Sequence, residues 1–290
     1  MQSESVSVFA PAKVNLFLHV TNRRDDGYHE LESLVMFADI GDRVSAAHGN
    51  DFSLEIAGAQ AAGLAADNDN LVVRAALALA ERIGAAAGAA MTLEKNLPVS
   101  SGIGGGSADA AATIKALVRL WEIHPGQHDL SGLALDLGAD VPVCLAGRAT
   151  MMSGIGEVLE PIDDLPDLPA VLVNPGVAVA TPAVFKARTA QFSPKQEDMT
   201  WSGDIRSCVE HIAEQRNDLT EAAVSIAPAI GDVLAALAQT DSCLLSRMSG
   251  SGATCFGLYA DTAAAEAAAQ DLQKRRPEWW VASTVLQGAN

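Results

Sequence analysis

The hydrophobic pattern of this chain switches between a period of two and a period near four, so strands and helices both contribute. Residues 5–10 alternate and predict a strand, and residues 13–21 (KVNLFLHVT) predict a second. The charged stretch 22–28 (NRRDDGY), with one glycine, predicts a turn. Residues 31–39, 42–47 and 52–57 continue the strand pattern. In 70–83, Leu71, Ala75, Leu79 and Ile83 fall four apart on one helical face. Residues 91–96 predict a strand and 107–121 an alanine-rich helix opened by Ser107 or Asp109. A further helix is expected over 129–137, with Gly138 as a left-handed cap. Asp140-Val-Pro opens a short helical turn, the aspartate placed as N-cap and the proline in the first turn. A strand pair is expected over 150–159, around Gly154 and Gly156. Beyond it the pattern predicts a buried strand at 170–174 and helices at 181–190, 218–227 and 230–239, the last two split by Pro228. Strands at 244–248 and 254–259 flank a glycine turn, followed by a helix at 262–274 and a strand at 280–286. Strands and helices in clusters, without strict alternation, indicate an α+β fold with largely antiparallel sheets. The acidic, proline-rich stretch 161–169 (PIDDLPDLP) is the expected junction between domains at 1–160 and 161–290.

The segment 97–112, LPVSSGIGGGSADAAA, interrupts this pattern most strongly. Gly102, Gly104, Gly105 and Gly106 crowd into five positions directly before the predicted helix. Glycine admits positive φ and lets a ligand approach the backbone closely. A helix N-terminus adds unpaired N–H groups and the positive end of a dipole. The segment is therefore the chain's best candidate for a polyphosphate cradle, with a plain flexible turn as the alternative. It is not a Walker A loop, because no lysine follows the glycines. It is not a dinucleotide fingerprint either, because Ser107 stands where the third glycine belongs.

Composition narrows the partners. The chain has 290 residues, 49% of them hydrophobic, enough for a sizeable core and two domains. Aromatic residues make up only 4%, so alanine, leucine and valine must fill the interior. The net charge of -17 argues against nucleic acid and against anionic membranes. It also repels nucleotides at long range, so any phosphate site must work through local N–H groups, a lysine and bound magnesium. Cys144, Cys208, Cys243 and Cys255 form no CxxC pair and no zinc spacing, so reduced thiols are expected. The first residues lack the features of a signal peptide, and no apolar run reaches the length of a membrane span. A cytoplasmic protein is expected.

Three segments in order, Pro11-Ala-Lys-Val-Asn-Leu, the glycine loop from Pro98 to Asp109, and Gly250-Ser-Gly-Ala-Thr, resemble the three motifs of the GHMP kinases. Asp26-Gly-Tyr-His-Glu-Leu, Gly104-Gly-Gly-Ser-Ala-Asp-Ala-Ala and Gly138-Ala-Asp-Val-Pro resemble the subfamily acting on 4-diphosphocytidyl-2-C-methyl-D-erythritol. The resemblance spans nearly the whole chain. It implies a ribosomal-protein-S5-domain-2-like N-terminal domain and a ferredoxin-like C-terminal domain. It also implies ATP-dependent phosphorylation of that compound's 2-hydroxyl, in the non-mevalonate route to isoprenoid precursors, with magnesium; the acidic surface is compatible with a monomer or weak homodimer. The chain departs from the subfamily at Ile103, Ala108 and Cys144, where leucine, serine and an aromatic residue are usual. The lost hydroxyl leaves position 108 without a phosphate or magnesium role.

By this resemblance the nucleotide is held by Pro98, Ser101, Gly102, Gly104, Gly105, Gly106 and Ser107. Ser107 either adds a hydroxyl to phosphate or magnesium, or only caps its helix. Asp140 is the candidate base for the acceptor hydroxyl, which needs help losing its proton. Its alternative role is that of an N-cap. Lys13 is its expected partner, an ammonium that keeps the carboxylate ionised and stabilises the transferring phosphoryl group. Tyr28 is expected to stack on cytosine, His29 to hydrogen-bond its edge, and Asn15 to contact the methylerythritol. Gly250, Ser251 and Gly252 are expected to bring backbone N–H groups to the substrate diphosphate. Asn70, Asn217 and Asp218 resemble family positions, but chemistry alone assigns them no role. The rival readings are a homoserine or mevalonate kinase and a catalytically silent binding protein on the same fold.

Overall fold

Strand β1 (Ser5–Asn15) carries the first alternating pattern further than expected. A computed structural model describes residues 5–84, 88–124, 126, 128–195, 201 and 203–288. The expected second strand is split there. After β1, Leu16, Phe17 and Leu18 are buried outside any strand, Leu18 making only an isolated parallel bridge to Asn217, and β2 (His19–Arg23) begins afterwards. An apolar run of this kind carries no period from which to read a break. The strands expected at 31–39 and 42–47 are one long strand, β3 (His29–Gly49). Then come β4 (Ser53–Ala57), α1 (Leu71–Ile83), β5 (Gly88–Glu94), α2 (Gly105–Leu120), α3 (Leu130–Leu137) and α4 (Val141–Ala146). The chain continues through β6 (Thr150–Gly154), β7 (Val158–Pro161), β8 (Leu168–Asn174), α5 (Thr181–Ala187), α6 (Ile205–Ala213), α7 (Thr220–Ile226) and α8 (Ala229–Ala238). It ends with β9 (Leu245–Met248), β10 (Cys255–Leu258), α9 (Thr262–Arg275) and β11 (Trp280–Gln287).

The contacts divide the chain into two compact units, both discontinuous in sequence. The first comprises 1–12, 40–99 and 104–147; the second comprises 13–39, 100–103 and 148–290. The boundary expected at 160/161 lies inside the second unit. In the first unit, the C-terminal half of β3 pairs antiparallel with β5, from Arg43 opposite Glu94 to Gly49 opposite Gly88. β4 lies parallel to β5 on its other edge. α1 and α2 pack together, and α2 also packs on α4. Ala108, Ala110, Ala111, Ala112 and Ala116 are all buried along α2, so small side chains let neighbouring backbones approach closely.

In the second unit, β8 is buried at every position between β11 and β10. Its continuous apolar sequence is the signature of a strand covered on both faces. β10 pairs β9, and β11 pairs the N-terminal half of β3 at Phe37 and Ala38. All these pairs are antiparallel. The unit's core gathers Leu18, Val20, Val171, Val173, Leu237, Tyr259 and Leu272 among others.

Three expected helix caps are corrected. Ser107 and Asp109 do not open α2, because Gly104 occupies the N-cap position in left-handed conformation (φ 63°) and the helix begins at Gly105. Gly138 closes α3 in extended conformation (φ 162°), so it is not a left-handed cap. Asp140 precedes α4 with helical dihedrals and makes no side-chain capping bond. The N-cap geometry that lets a carboxylate reach back to the first turn requires extended dihedrals, which this aspartate lacks.

Candidate active site

The expected phosphate cradle falls at the first turn of α2. A helix's first N–H groups have no carbonyl partner within it, so those of Gly105, Gly106 and Ser107 face outward along the axis. No acidic residue stands in that turn. Gly104 brings the chain into the helix without a side chain over its end. Ser107 is half-buried in the first turn, two residues past the start, so its hydroxyl is not spent as an N-cap. These features fit a polyanion.

Directly behind this turn lies a buried charge cluster that the sequence did not reveal. A Cβ placed on Gly105 would stand 3.1 Å from Lys95 Nζ. That ammonium donates to Asp42 Oδ2 at 2.5 Å and to Asp109 Oδ2 at 2.7 Å. The other Asp42 oxygen accepts the N–H groups of Asn96 and Leu97, at 2.6 and 2.8 Å. Asp109 Oδ1 is buried without a hydrogen-bond partner. Burial pushes the Asp109 carboxyl up to about 7, against the pull of Lys95 and with the help of Asp42. Burial would lower Lys95, but the two carboxylates outweigh it and hold the ammonium above its ordinary value. The three residues lie 14 and 53 positions apart, so no local spacing announces them.

The other half of the glycine loop belongs to the second unit and packs on the third motif. Gly102 is left-handed (φ +76°), and a Cβ there would lie 2.6 Å from Gly252 O and 2.7 Å from Ser249 O. Only glycine satisfies both the dihedral and the close approach. Thr254 N–H donates to Ser101 O at 2.9 Å, and Ser249 Oγ donates to Gly102 O at 3.1 Å. Lys13 is buried, and its N–H donates to Ile103 O at 2.9 Å. Asn15 N–H donates to Ser249 Oγ at 3.1 Å, and its Nδ2 donates to Ser33 Oγ at 2.7 Å. Asn15 Oδ1 is buried without a partner, and a Cβ on Gly250 would stand 3.4 Å from it. The structure thus brings together Lys13, Asn15, Ser101, Gly102, Gly250 and Gly252. Ser251 joins them on the third motif, its hydroxyl 2.7 Å from Thr181 Oγ1.

Tyr28 and His29 sit at the hairpin from β2 to β3, where Arg23 pairs with His29. The intervening turn is fixed by Arg24 N–H donating to Tyr28 O at 2.7 Å and Tyr28 N–H donating to Asp26 Oδ1 at 3.0 Å. Tyr28 is 60% exposed, so its ring face is available. His29 stacks on Phe185 of α5, ring centroids 4.8 Å apart. Burial, with Arg23 and Arg188 nearby, lowers the His29 pKa and favours the neutral ring. A neutral imidazole can both donate and accept, as recognition of a base edge requires. Phe185 was not singled out from sequence, because only the β2–β3 hairpin brings the two rings together.

Asp140 and Pro98 lie in the first unit. Asp140 is half-buried at the start of α4, whose Val141, Pro142, Val143 and Cys144 are buried. That anchoring holds the aspartate in place without use of its carboxylate as a cap. Pro98 is buried at the entry to the glycine loop. Among the described residues, no group of three or more His, Cys, Asp or Glu side chains could hold a metal ion, and no helix is long and apolar enough to cross a membrane.

The models of the GHMP kinases N-terminal domain and C-terminal domain match residues 70–148 and 202–278, together more than half of the chain. The 4-diphosphocytidyl-2-C-methyl-D-erythritol kinase of Paramagnetospirillum magneticum is 54% identical over 97% of this chain and 99% of its own. The protein of the same name from Cereibacter sphaeroides is 52% identical over the same shares. A crystal structure of 4-(cytidine 5'-diphospho)-2C-methyl-D-erythritol kinase superposes with a TM-score of 0.80 at 35% identity, covering 97% of this chain and 100% of that one. Homoserine kinase from Cytophaga hutchinsonii shares the fold, with a TM-score of 0.73 at 22% identity over 99% and 96% of the two chains. The two-domain architecture, the glycine cradle and the near full-length relatives agree, and the chain belongs to the GHMP kinases, in the family of 4-diphosphocytidyl-2-C-methyl-D-erythritol kinases.

Proposed function

We propose that this protein transfers the γ-phosphoryl group of ATP to the 2-hydroxyl of 4-diphosphocytidyl-2-C-methyl-D-erythritol, a step in the non-mevalonate route to isoprenoid precursors. Identity of 54% to a kinase of that name, over nearly the full length of both chains, carries the reading. The exposed Tyr28 beside the His29–Phe185 stack supports the cytidine end, since a planar base needs an aromatic face and a hydrogen-bonding edge.

Phosphoryl transfer needs positioning and charge neutralisation more than covalent chemistry. In this reading the first turn of α2 binds the nucleotide phosphates through its N–H groups, with Gly102, Gly104, Gly105 and Gly106 shaping the cradle and Pro98 and Ser101 flanking it. Asn15 and the 250–252 turn bind the polyol and the diphosphate of the acceptor. Asp140 takes the proton of the acceptor hydroxyl, and Lys13 supplies positive charge toward the phosphoryl group in flight. Magnesium in nucleotide sites typically binds through one or two carboxylates plus substrate phosphates, and keeps several waters. Ser107 and the nucleotide phosphates would hold the ion, which supplies charge neutralisation. The reading carries a cytoplasmic location.

ADP release from ATP and magnesium tests the reading, with the cytidylated polyol, the polyol without cytidine, homoserine and mevalonate offered separately. Turnover with the cytidylated polyol alone is expected; turnover with homoserine or mevalonate overturns the assignment. Tyr28→Ala is expected to raise the KM for the cytidylated substrate by about tenfold and leave the KM for ATP unchanged, from loss of one base–aromatic stack. Equal changes in both constants would remove Tyr28 from the cytidine site.

A further inference from the structure

Two adjacent residues that sequence alone left without a role, Asn217 and Asp218, are buried and reach two separate parts of the second unit. Asn217 Nδ2 donates to Met248 O and to Gly250 O, both at 2.8 Å, and its Oδ1 accepts Leu219 N–H at 2.9 Å. The side chain thereby uses donor and acceptor together. Gly250 is the residue it holds in the third motif. A Cβ on Gly250 would stand 2.8 Å from Gly102 O and 3.4 Å from the unpartnered Asn15 Oδ1. Where Asn217 puts Gly250 therefore sets the spacing between the third motif, the glycine loop and Asn15.

Asp218 reaches the other way. Its Oδ2 accepts Val20 N–H at 2.8 Å and Ser193 Oγ at 2.7 Å, and its Oδ1 accepts Arg216 Nε at 2.6 Å. Val20 lies on β2, the strand that leads into the Tyr28–His29 hairpin. Asp218 Oδ2 also lies 3.9 Å from Arg188 Nη2. Arg188 follows α5, which carries Phe185, and its N–H bonds Val184 O. One carboxylate therefore bonds β2, which pairs with the His29 strand β3, and faces Arg188, which closes the helix of Phe185. Burial would raise the Asp218 carboxyl, but the bonds from Ser193, Val20 and Arg216 outweigh it and hold the group ionised.

We propose that Asn217 and Asp218 are a pair of positioning residues for the phosphoryl acceptor. Asn217 sets the 250–252 turn at the polyol and diphosphate end, and Asp218 supports the aromatic stack at the cytidine end from behind, through β2 and Arg188. The inference rests on the functional reading above, which names the acceptor. Neither residue needs to touch the acceptor. Their adjacency in sequence makes the two ends of the site answer to one short segment before α7.

Steady-state kinetics of single variants, with ATP and with the cytidylated polyol varied in turn, test it. Asp218→Asn keeps the shape and removes the charge. It is expected to raise the KM for the cytidylated polyol about tenfold, with kcat and the KM for ATP within about twofold, the loss expected of a charged hydrogen bond. Asn217→Ala is expected to lower kcat about tenfold, with a smaller change in the cytidylated-polyol KM. Ser193→Ala removes only one of the bonds to Asp218 and stands in if Asp218→Asn fails to fold; it is expected to shift the same KM in the same direction, less far. Variants that move kcat and both KM values together, or move none, overturn the inference. Calorimetric titration with cytidine 5'-diphosphate runs beside the assay and reads the Asp218 end without turnover. If the wild type binds that nucleotide but turns over no cytidylated polyol, the functional reading fails, and the inference is decided by whether Asp218→Asn or Ser193→Ala weakens binding. If the wild type does not bind it, both fail.

Discussion

Asparagine in place of Asp140 is expected to lower kcat by about two to four orders of magnitude, the range for loss of a general base. Asparagine has nearly the same shape and keeps hydrogen bonding, but it cannot accept a proton at neutral pH. The structure makes this substitution a clean test. The Asp140 side chain makes no capping bond to α4, and the helix is anchored by buried Val141, Pro142, Val143 and Cys144. The melting temperature, measured beside the wild type's, separates any loss of folding from loss of chemistry. ATP binding is expected to survive, because the proposed phosphate cradle uses backbone N–H groups of another helix, α2. Nucleotide titration and single-turnover phosphoryl transfer, measured on the same preparation, separate the two. Retained turnover would remove Asp140 as the base. Lost nucleotide binding would assign it to the cradle instead.

The elements that sequence revealed best are those with a strict local period. The four-apart face of α1, the apolar run of β8 and the glycine loop before α2 all declare themselves within a few residues. The caps were less legible, because capping depends on dihedrals that residue type only biases. Ser107 and Asp140 are both good N-cap residues, yet Gly104 opens α2 in left-handed conformation and Asp140 is helical. Helix α6 carries a local signal of the same kind. Ile205, Cys208, Val209 and Ile212 recur at helical spacing, and Asp204 caps the first turn by accepting Ser207 N–H at 2.9 Å. The candidate catalytic and cytidine residues were readable through motifs. Their supports were not. Asp218 meets Val20 from 198 positions away, Asn217 meets Gly250 from 33, and Phe185 reaches His29 only through the fold. The discontinuity of the two units has the same origin. β1 and β3 each run through both units, and no shift in composition marks the crossing.

The largest loss of stability is expected from Lys95→Met. The substitution keeps the length and apolar stem of the side chain and removes only the charge, so little cavity forms. What remains is a pair of carboxylates, Asp42 and Asp109, buried with no cation between them. Breaking a buried ion pair by removing one partner typically costs about 3–5 kcal/mol, because the surviving charge stays desolvated. For a protein of this size that corresponds to a fall in melting temperature of roughly 6–20 °C. The dependence on pH follows from the Asp109 carboxyl, already raised to about 7 with Lys95 in place. A carboxyl raised above its unfolded value binds more protons in the folded state, so stability falls as pH rises through the folded pKa. Removing the ammonium raises that carboxyl further. The deficit of Lys95→Met is therefore expected to be smallest near pH 5, where protonation relieves the buried charge, and to grow toward pH 8. Scanning calorimetry across that range checks both the size and the slope. Adding Asp109→Asn to Lys95→Met removes one of the two orphaned charges and is expected to recover part of the loss at pH 8 and little at pH 5. A deficit that does not change with pH, or a double variant no more stable than the single one, would mean that Lys95 supports the first turn of α2 by packing and not by its charge.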